Sequence, residues 1–261
     1  MNLIKSIQNI LRRQIDSLSL YNYLRRALLL LQYTLSTPHE PDFLAFKVLK
    51  HKSNGLFVDI GANGGQSAIA FGSICPYFEI ISFEPNPSLW SELDFIKRII
   101  GDRFSYRRSG LGEEKGQFKL YIPTLGQLPI TTRASISREA AEQQLHNLTL
   151  EKGENGKIAE VKVDIQRFDD LDIHPNVVKI DVEGHELSVL KGMVDTIKND
   201  KPLFLLERNH ETGDCQTLLR SHGYHFFDFD LKTKSLSADA EHCSNNWFAI
   251  PEELMEEMAI N

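Results

Sequence analysis

From about residue 42 onward, short apolar runs alternate with stretches of helical periodicity, and this alternation constrains the fold more than any other feature. FVDIG (57–61), EIISFEP (79–85), FSYRRSGLG (104–112), VVKIDVEG (177–184) and LFLLER (203–208) read as strands. GGQSAIAFGSIC (64–75), PSLWSELDFIKRII (87–100) and HELSVLKGMVDTIKN (185–199) read as helices. A helix from about Asp214 to Ser221 precedes two closing strands, YHFFDFD (224–230) and NWFAIP (246–251). Such alternation requires parallel strands joined by helical crossovers. The predicted class is therefore α/β: a mostly parallel, doubly wound sheet with helices on both faces. The last two strands have no helix between them and predict an antiparallel hairpin at one edge. QFKLYIP (117–123) and part of EVKVDIQRFDDL (160–171) add strands outside the repeat.

Two segments do not follow the pattern. In residues 1–37, Ile4, Ile7, Leu11, Ile15 and Leu18 recur at steps of three and four, an amphipathic helical stripe. Up to Arg26 the segment holds five basic residues (Lys5, Arg12, Arg13, Arg25, Arg26) and one acid, Asp16, in a chain of formal charge −7. Such a helix suits packing on its own domain, docking on a partner or a second copy as a homodimer, or lying on a membrane surface through residues 1–36. Thr37-Pro38-His39-Glu40-Pro41 breaks it, dividing a helical extension (1–40) from the main domain (41–261). The second segment, 124–159, is polar and turn-rich, with a helix expected from Arg138 to Leu148. An insertion of that length suits either a lid over a substrate or a passive surface excursion, with Arg133 and Ser135 either reaching a polar substrate or sitting in a solvated loop.

The acidic balance disfavours the phosphate-backbone mode of nucleic-acid binding. Cys75, Cys215 and Cys243 lack CxxC spacing and fit a reducing compartment. RRALLLLQYTL (25–35) is too short for a membrane span, and no secretory leader stands out. A cytoplasmic location is expected, extended to the inner membrane face if the basic helix docks there.

In an open α/β sheet, ligands bind beyond the carboxyl ends of the strands. The first strand ends on Asp59, followed by Gly61, Asn63, Gly64 and Gly65, which bring backbone close to a ligand. A dinucleotide would call for GxGxxG, which is missing, and Asp59 would repel a pyrophosphate. A cationic ligand carrying an amino-acid moiety fits better. The second strand ends on Glu84, placed to accept hydrogen bonds from both hydroxyls of a ribose, with Pro85 and Pro87 fixing where it points. Adenosine with a cationic tail describes S-adenosylmethionine.

VDIGANGG, FEPNP, KIDVEGHELSVLKG and NWFAIP, in this order and spacing over roughly 55–250, resemble the FkbM-type methyltransferases. The resemblance implies the class I methyltransferase fold, a seven-stranded sheet whose last strand is antiparallel. It also implies O-methyl transfer from S-adenosylmethionine, often to a sugar, glycan or natural-product hydroxyl. Carried over, Asp59, Gly61, Asn63 and Gly64 line the methionine side, Glu84 holds the ribose, and the adenine lies near Ser109 to Leu111.

Lys179-Ile180-Asp181-Val182-Glu183-Gly184-His185-Glu186 is the other dense cluster, and in the class I fold this loop faces the transferred methyl. A hydroxyl is a weak nucleophile, so a base or a metal must help remove its proton. His185 is the candidate base by intrinsic pKa. Asp181 is an expected active-site residue in an open role, and Glu207, ending LFLLER, should lie at the same rim. Asp181, Glu183 and Glu207 are alternatively the oxygen ligands of a divalent cation. Glu207 has a competing role, pairing with Lys179 or Arg208. Glu186 suits a first-turn helix charge, His210 an exposed loop, and Trp247 the core. Three other functions compete: a dehydrogenase, disfavoured by the glycine spacing; an RNA or protein methyltransferase, disfavoured by the charge and by DVEG where an NPPY-type loop would stand; and a non-catalytic cofactor-binding scaffold.

Overall fold

The computed structural model describes residues 18–49, 52, 54–125, 128–130, 134–152, 156–238 and 243–255. The stripe from Ile4 to Ile15, with Lys5, Arg12, Arg13 and Arg133, lies outside the described residues.

The described residues begin with helix α1 (Leu18–Leu35) and a 3-10 segment over Pro41–Leu49. Strand β1 (Leu56–Ile60), α2 (Gln66–Ile74), β2 (Glu79–Phe83), α3 (Trp90–Ile100) and β3 (Phe104–Arg107) follow the predicted alternation. Next come β4 (Gly110–Leu111), β5 (Gly116–Leu125), β6 (Leu128–Pro129), α4 (Arg138–Lys152) and β7 (Gly156–Gln166). Alternation then resumes with β8 (Val177–Ile180), α5 (Glu186–Lys191), α6 (Val194–Asn199), β9 (Leu203–Glu207) and α7 (Thr212–Arg220). The chain closes with β10 (Tyr224–Asp230), β11 (Ser235–Ser237), β12 (Cys243–Pro251) and α8 (Glu252–Met255).

The main sheet has eight strands in the order β11-β10-β12-β9-β8-β1-β2-β3. Strands β3, β2, β1, β8 and β9 are parallel, while β12 runs antiparallel between β9 and β10. The closing pair thus forms the expected antiparallel hairpin at one edge of the sheet, with β12 on its inner side against β9. The eighth strand, beyond the expected seven, is the three-residue β11. The predicted helix 185–199 is two helices, because Gly192 lies so close to Gly112 that a Cβ there would sit 2.1 Å from the Gly112 carbonyl oxygen.

The pleat divides the core in two. Phe57, Ile80, Val177 and Leu205 face one side and pack under α1, α2 and α3. Val58, Ile60, Val178, Ile180 and Leu206 face the other, under α5, α6 and α7. Strands buried on both faces explain the near-continuous apolar runs in the sequence. Each buried Phe or Leu contributes about 1.5–3 kcal/mol relative to exposure.

Helix α1 belongs to this body. Leu29 and Gln32 are buried, and Arg26 donates to Glu92 of α3 at 2.8 Å. Arg25 lies 3.7 Å from the same carboxylate. Of the readings open for this helix, packing on its own domain holds for α1, and two of the five basic residues, Arg25 and Arg26, are occupied within the fold. Among the described residues no helix is long and apolar enough to cross a membrane.

Residues 124–159 contain the tip of a ribbon that starts earlier, at Gly116. Strands β5 and β7 pair antiparallel from Gly116 opposite Ile165 to Leu125 opposite Gly156, in a second sheet ordered β4-β7-β5-β6. The ribbon has its own small core of Leu120, Ile122, Val163 and Ile165. Helix α4 is longer than expected and sets Ala141 and Leu148 inward. The ribbon stands beside the carboxyl ends of the main sheet, which is where it meets the site.

Candidate active site

At the carboxyl end of β1 the chain turns through Gly61 (φ +77°) and Asn63 (φ +50°) before α2. Gly61 is required for close packing: a Cβ there would lie 1.9 Å from the Asp181 carbonyl oxygen. This contact brings the β1 and β8 loops together. The turn also aims the Asn63 N–H at Glu84 Oε2, 2.7 Å away, while Glu84 Oε1 accepts from the Asn86 N–H at 2.8 Å. Both carboxylate oxygens are thereby held in place, and each keeps accepting capacity towards the cleft. Burial pushes the Glu84 carboxyl up to about 7, against the lowering effect of these two N–H groups.

A cleft of about 190 Å³ lies over these strand ends. Gly61, Asn63, Glu84, Gly110, Leu111, Asp181, Glu183, His185 and Glu207 line it, so nearly all the sequence-predicted residues converge. Leu120, Ala134, Ser135 and Ile136 of the ribbon form the opposite wall. Ser135 therefore lies buried at the cleft and not in a solvated loop, one of the two places open to it from sequence.

Three expected cofactor contacts lie elsewhere. Ser109 is buried and donates to Gln166 Oε1 at 3.3 Å, whereas its neighbours Gly110 and Leu111 line the cleft. Gly64 is absent from the cleft wall; a Cβ there would lie 1.4 Å from an Arg25 guanidinium nitrogen, so this glycine makes room for α1. Asp59 is fully buried in a cross-strand row, directly opposite Ser82 on β2 and Lys179 on β8. It accepts from Ser82 Oγ at 3.3 Å and pairs with Lys179 Nζ at 3.4 Å. Burial raises its pKa and the lysine opposes that rise. The carboxylate expected beside the cofactor's cationic tail is instead neutralised inside the sheet.

Lys179 was read only as a partner for Glu207, yet it organises this end of the sheet. Its Nζ also donates to the Gly61 carbonyl at 3.1 Å and lies 3.2 Å from Asp181 Oδ2. Although 7% exposed, it is held in the charged form, its pKa raised by Asp181 and Asp59 against the opposing effect of burial. A lone lysine in a strand ending KID carries a signal for this role: both neighbouring strand ends are acidic.

Glu207 pairs with Asp181, not with Lys179; Arg208 pairs with Asp228. Burial, then the charges of Asp181 and Glu183, then the Asp181 hydrogen bond push Glu207 up to about 8. The raised value favours the protonated form of Glu207, hydrogen-bonded to Asp181, whose other neighbour is Lys179 Nζ at 3.2 Å. His185 is half-buried on the cleft wall, and its ring makes no hydrogen bond with the described residues. Among the described residues no three His, Cys, Asp or Glu side chains come together as a metal site, so the geometry does not support the Asp181, Glu183 and Glu207 ligand set.

Glu186 exceeds the expected first-turn charge. It is 1% exposed, and its Oε1 accepts from the Val182 N–H at 3.0 Å and the Gly184 N–H at 3.3 Å. Its Oε2 accepts from Asn209 Nδ2. With Glu183 and Gly184 both at positive φ, this carboxylate pins the turn that presents His185.

The residues fit S-adenosylmethionine: a buried carboxylate with both oxygens oriented stands where a ribose would sit, beside an open glycine turn. The sequence profile of the methyltransferase FkbM domain matches residues 59–226. The hexuronic acid methyltransferase AglP of Haloferax volcanii is 26% identical over 163 residues, 61% of this chain and 59% of that protein. Methyltransferase 1 of Beauveria bassiana is 26% identical over 196 residues, 69% of this chain and 76% of its own length. The fold is similar to that of an FkbM methyltransferase from Methylobacillus flagellatus, with a TM-score of 0.51 and 18% identity over 94% of this chain and 58% of that one. With more than half of its length matched to the family profile, and with the fold and the cleft in accord, the chain belongs to the FkbM methyltransferase family.

Proposed function

We propose that the protein transfers a methyl group from S-adenosylmethionine to a hydroxyl of a sugar or glycan, with the Asp181–Glu207 pair as base. The pair carries this reading: two carboxyls share one proton at the cleft, with an apparent value of about 8 on Glu207. A base of that strength suits a hydroxyl, whose proton must leave as the oxygen attacks. The sugar class is supported by the hexuronic acid methyltransferase among the relatives.

S-adenosylmethionine, when bound, supplies an electrophilic methyl group on a sulfonium. Glu84 accepts from the ribose hydroxyls, and Gly61 and Asn63 form the wall of the methionine side. At neutral pH about a tenth of the molecules carry the pair doubly ionised, the form that acts as base. In that form Glu207 takes the acceptor's proton, with Asp181 held beside it by Lys179. The new O–C bond forms as the S–C electron pair passes to sulfur. His185, on the cleft wall beside Asp181 and Glu183, contacts the acceptor and helps hold its oxygen in line.

The test compares Glu207→Gln with His185→Ala in a methyl-transfer assay over sugar acceptors. Glu207→Gln should lower kcat by about 10²–10⁴ with S-adenosylhomocysteine affinity retained, and His185→Ala should act mainly on acceptor KM. The reverse pattern would assign the base to His185.

A further inference from the structure

A second cavity, about 660 Å³, opens on the far side of α7 and shares no lining residue with the cleft. The backbone reverses facing between Glu207 and Arg208: the first lines the cleft, the second the cavity. Arg208, Arg220, His225, Phe226 and Trp247 line it, and Asp228 is the one carboxylate among the described residues that line it. Asp228 is taken by Arg208. Arg220 stacks at 5.0 Å on the Phe226 ring and, among the described residues, has no acidic partner. In a chain of formal charge −7, this concave surface thus carries a guanidinium that no described carboxylate balances.

Trp247 supplies a second, independent observation. It is 1% exposed, and its indole Nε1–H is buried with no acceptor among the described residues. Buried donors are nearly always paired, and an orphan on a cavity wall marks where an acceptor belongs. The sequence placed Trp247 in the core, which holds for its ring, packed edge-on against Phe226. A core role alone would be met by Phe, without the unpaired donor.

We propose that this cavity binds a carboxylate-bearing sugar, an acidic unit of the acceptor glycan adjoining the one methylated. The proposal rests on the sugar reading given above. Arg220 presents the planar donor fork that matches a carboxylate, Trp247 supplies a donor for a ring or hydroxyl oxygen, and Phe226 offers an apolar flank. The volume suits a monosaccharide or disaccharide.

The experiment is a ligand-observed NMR titration of the full chain with D-glucuronate, D-glucose and acetate. It is repeated in Arg220→Gln, Trp247→Phe and Glu207→Gln, with S-adenosylhomocysteine affinity measured in parallel. Glucuronate should bind at least fivefold more tightly than glucose or acetate. Arg220→Gln should weaken it at least fivefold and leave S-adenosylhomocysteine unchanged. Arg220 is exposed, so its replacement keeps the test valid even if Trp247→Phe fails to fold. Acetate binding as tightly as glucuronate would overturn the sugar assignment. Glucuronate binding lost in Glu207→Gln but kept in Arg220→Gln would place the sugar in the cleft, overturning the cavity proposal while supporting the acceptor reading. No glucuronate binding beside intact S-adenosylhomocysteine binding would also overturn it.

Discussion

Lys179 Nζ lies 3.4 Å from Asp59 Oδ1, inside the sheet and beneath the cleft. The two residues are exact neighbours across β1 and β8, so the pair follows directly from strand register. From there the lysine reaches Gly61 and Asp181, which ties the first glycine turn to the acceptor side. Removing it strands a fully buried carboxylate. Lys179→Met should cost about 3–5 kcal/mol of stability, read by denaturant unfolding. Adding Asp59→Asn should recover part of that loss. Without the cation, the Asp181–Glu207 pair should also ionise at higher pH, moving the rising limb of the activity profile upward. An unchanged unfolding midpoint in Lys179→Met would reject this account.

Gly61 and Gly64 look equivalent in the glycine turn but should respond differently. Gly61→Ala meets backbone at 1.9 Å at a positive φ, so the β1 and β8 loops must part and cofactor binding should be lost. Gly64→Ala meets only the movable end of Arg25. It should cost about 1 kcal/mol, and an Arg25→Ala/Gly64→Ala double-mutant cycle should show coupling of about 0.5–3 kcal/mol. Additive effects would mean that Arg25 does not depend on this glycine.

Glu84 carries a pH signature. Its carboxyl is raised to about 7, and its ionised form accepts from ribose hydroxyls. S-adenosylhomocysteine should therefore bind more tightly as pH rises from 6 to 8, and Glu84→Gln should abolish that slope. Because the folded-state pKa is raised, protonation favours the unliganded fold. Its contribution to stability is full below the ordinary value of 4.5 and is lost as pH rises through about 7. Calorimetric titration across this range checks the first outcome, and thermal melts without ligand check the second.

Glu186→Ala removes the acceptor for two backbone N–H groups of the 181–185 turn. A loss of about 1–3 kcal/mol is expected, with acceptor KM raised and S-adenosylhomocysteine affinity nearly unchanged. Hydrogen exchange at Val182 and Gly184 should quicken. Full protection at both amides in the variant would show that the turn is held by something else.

Strand–helix alternation, the glycine turn after β1, and acids at the ends of β1, β2, β8 and β9 are local properties of the chain. They determined the α/β class, the end of the sheet where the site lies, and most residues of the cleft. Local pattern cannot say which way a strand-end side chain faces once neighbouring strands pair. Asp59 and Asp181 both end strands beside small residues, yet register turns the first into the sheet towards Lys179 and leaves the second at the cleft. Contacts between residues far apart in sequence were likewise illegible: Arg25 over Gly64, Gly192 against Gly112, and β12 slotted between β9 and β10. Tertiary structure alone decided the proton-sharing pair of Asp181 and Glu207. Its strength comes from burial and from charges brought together by the parallel sheet, and neither exists until the strands are side by side.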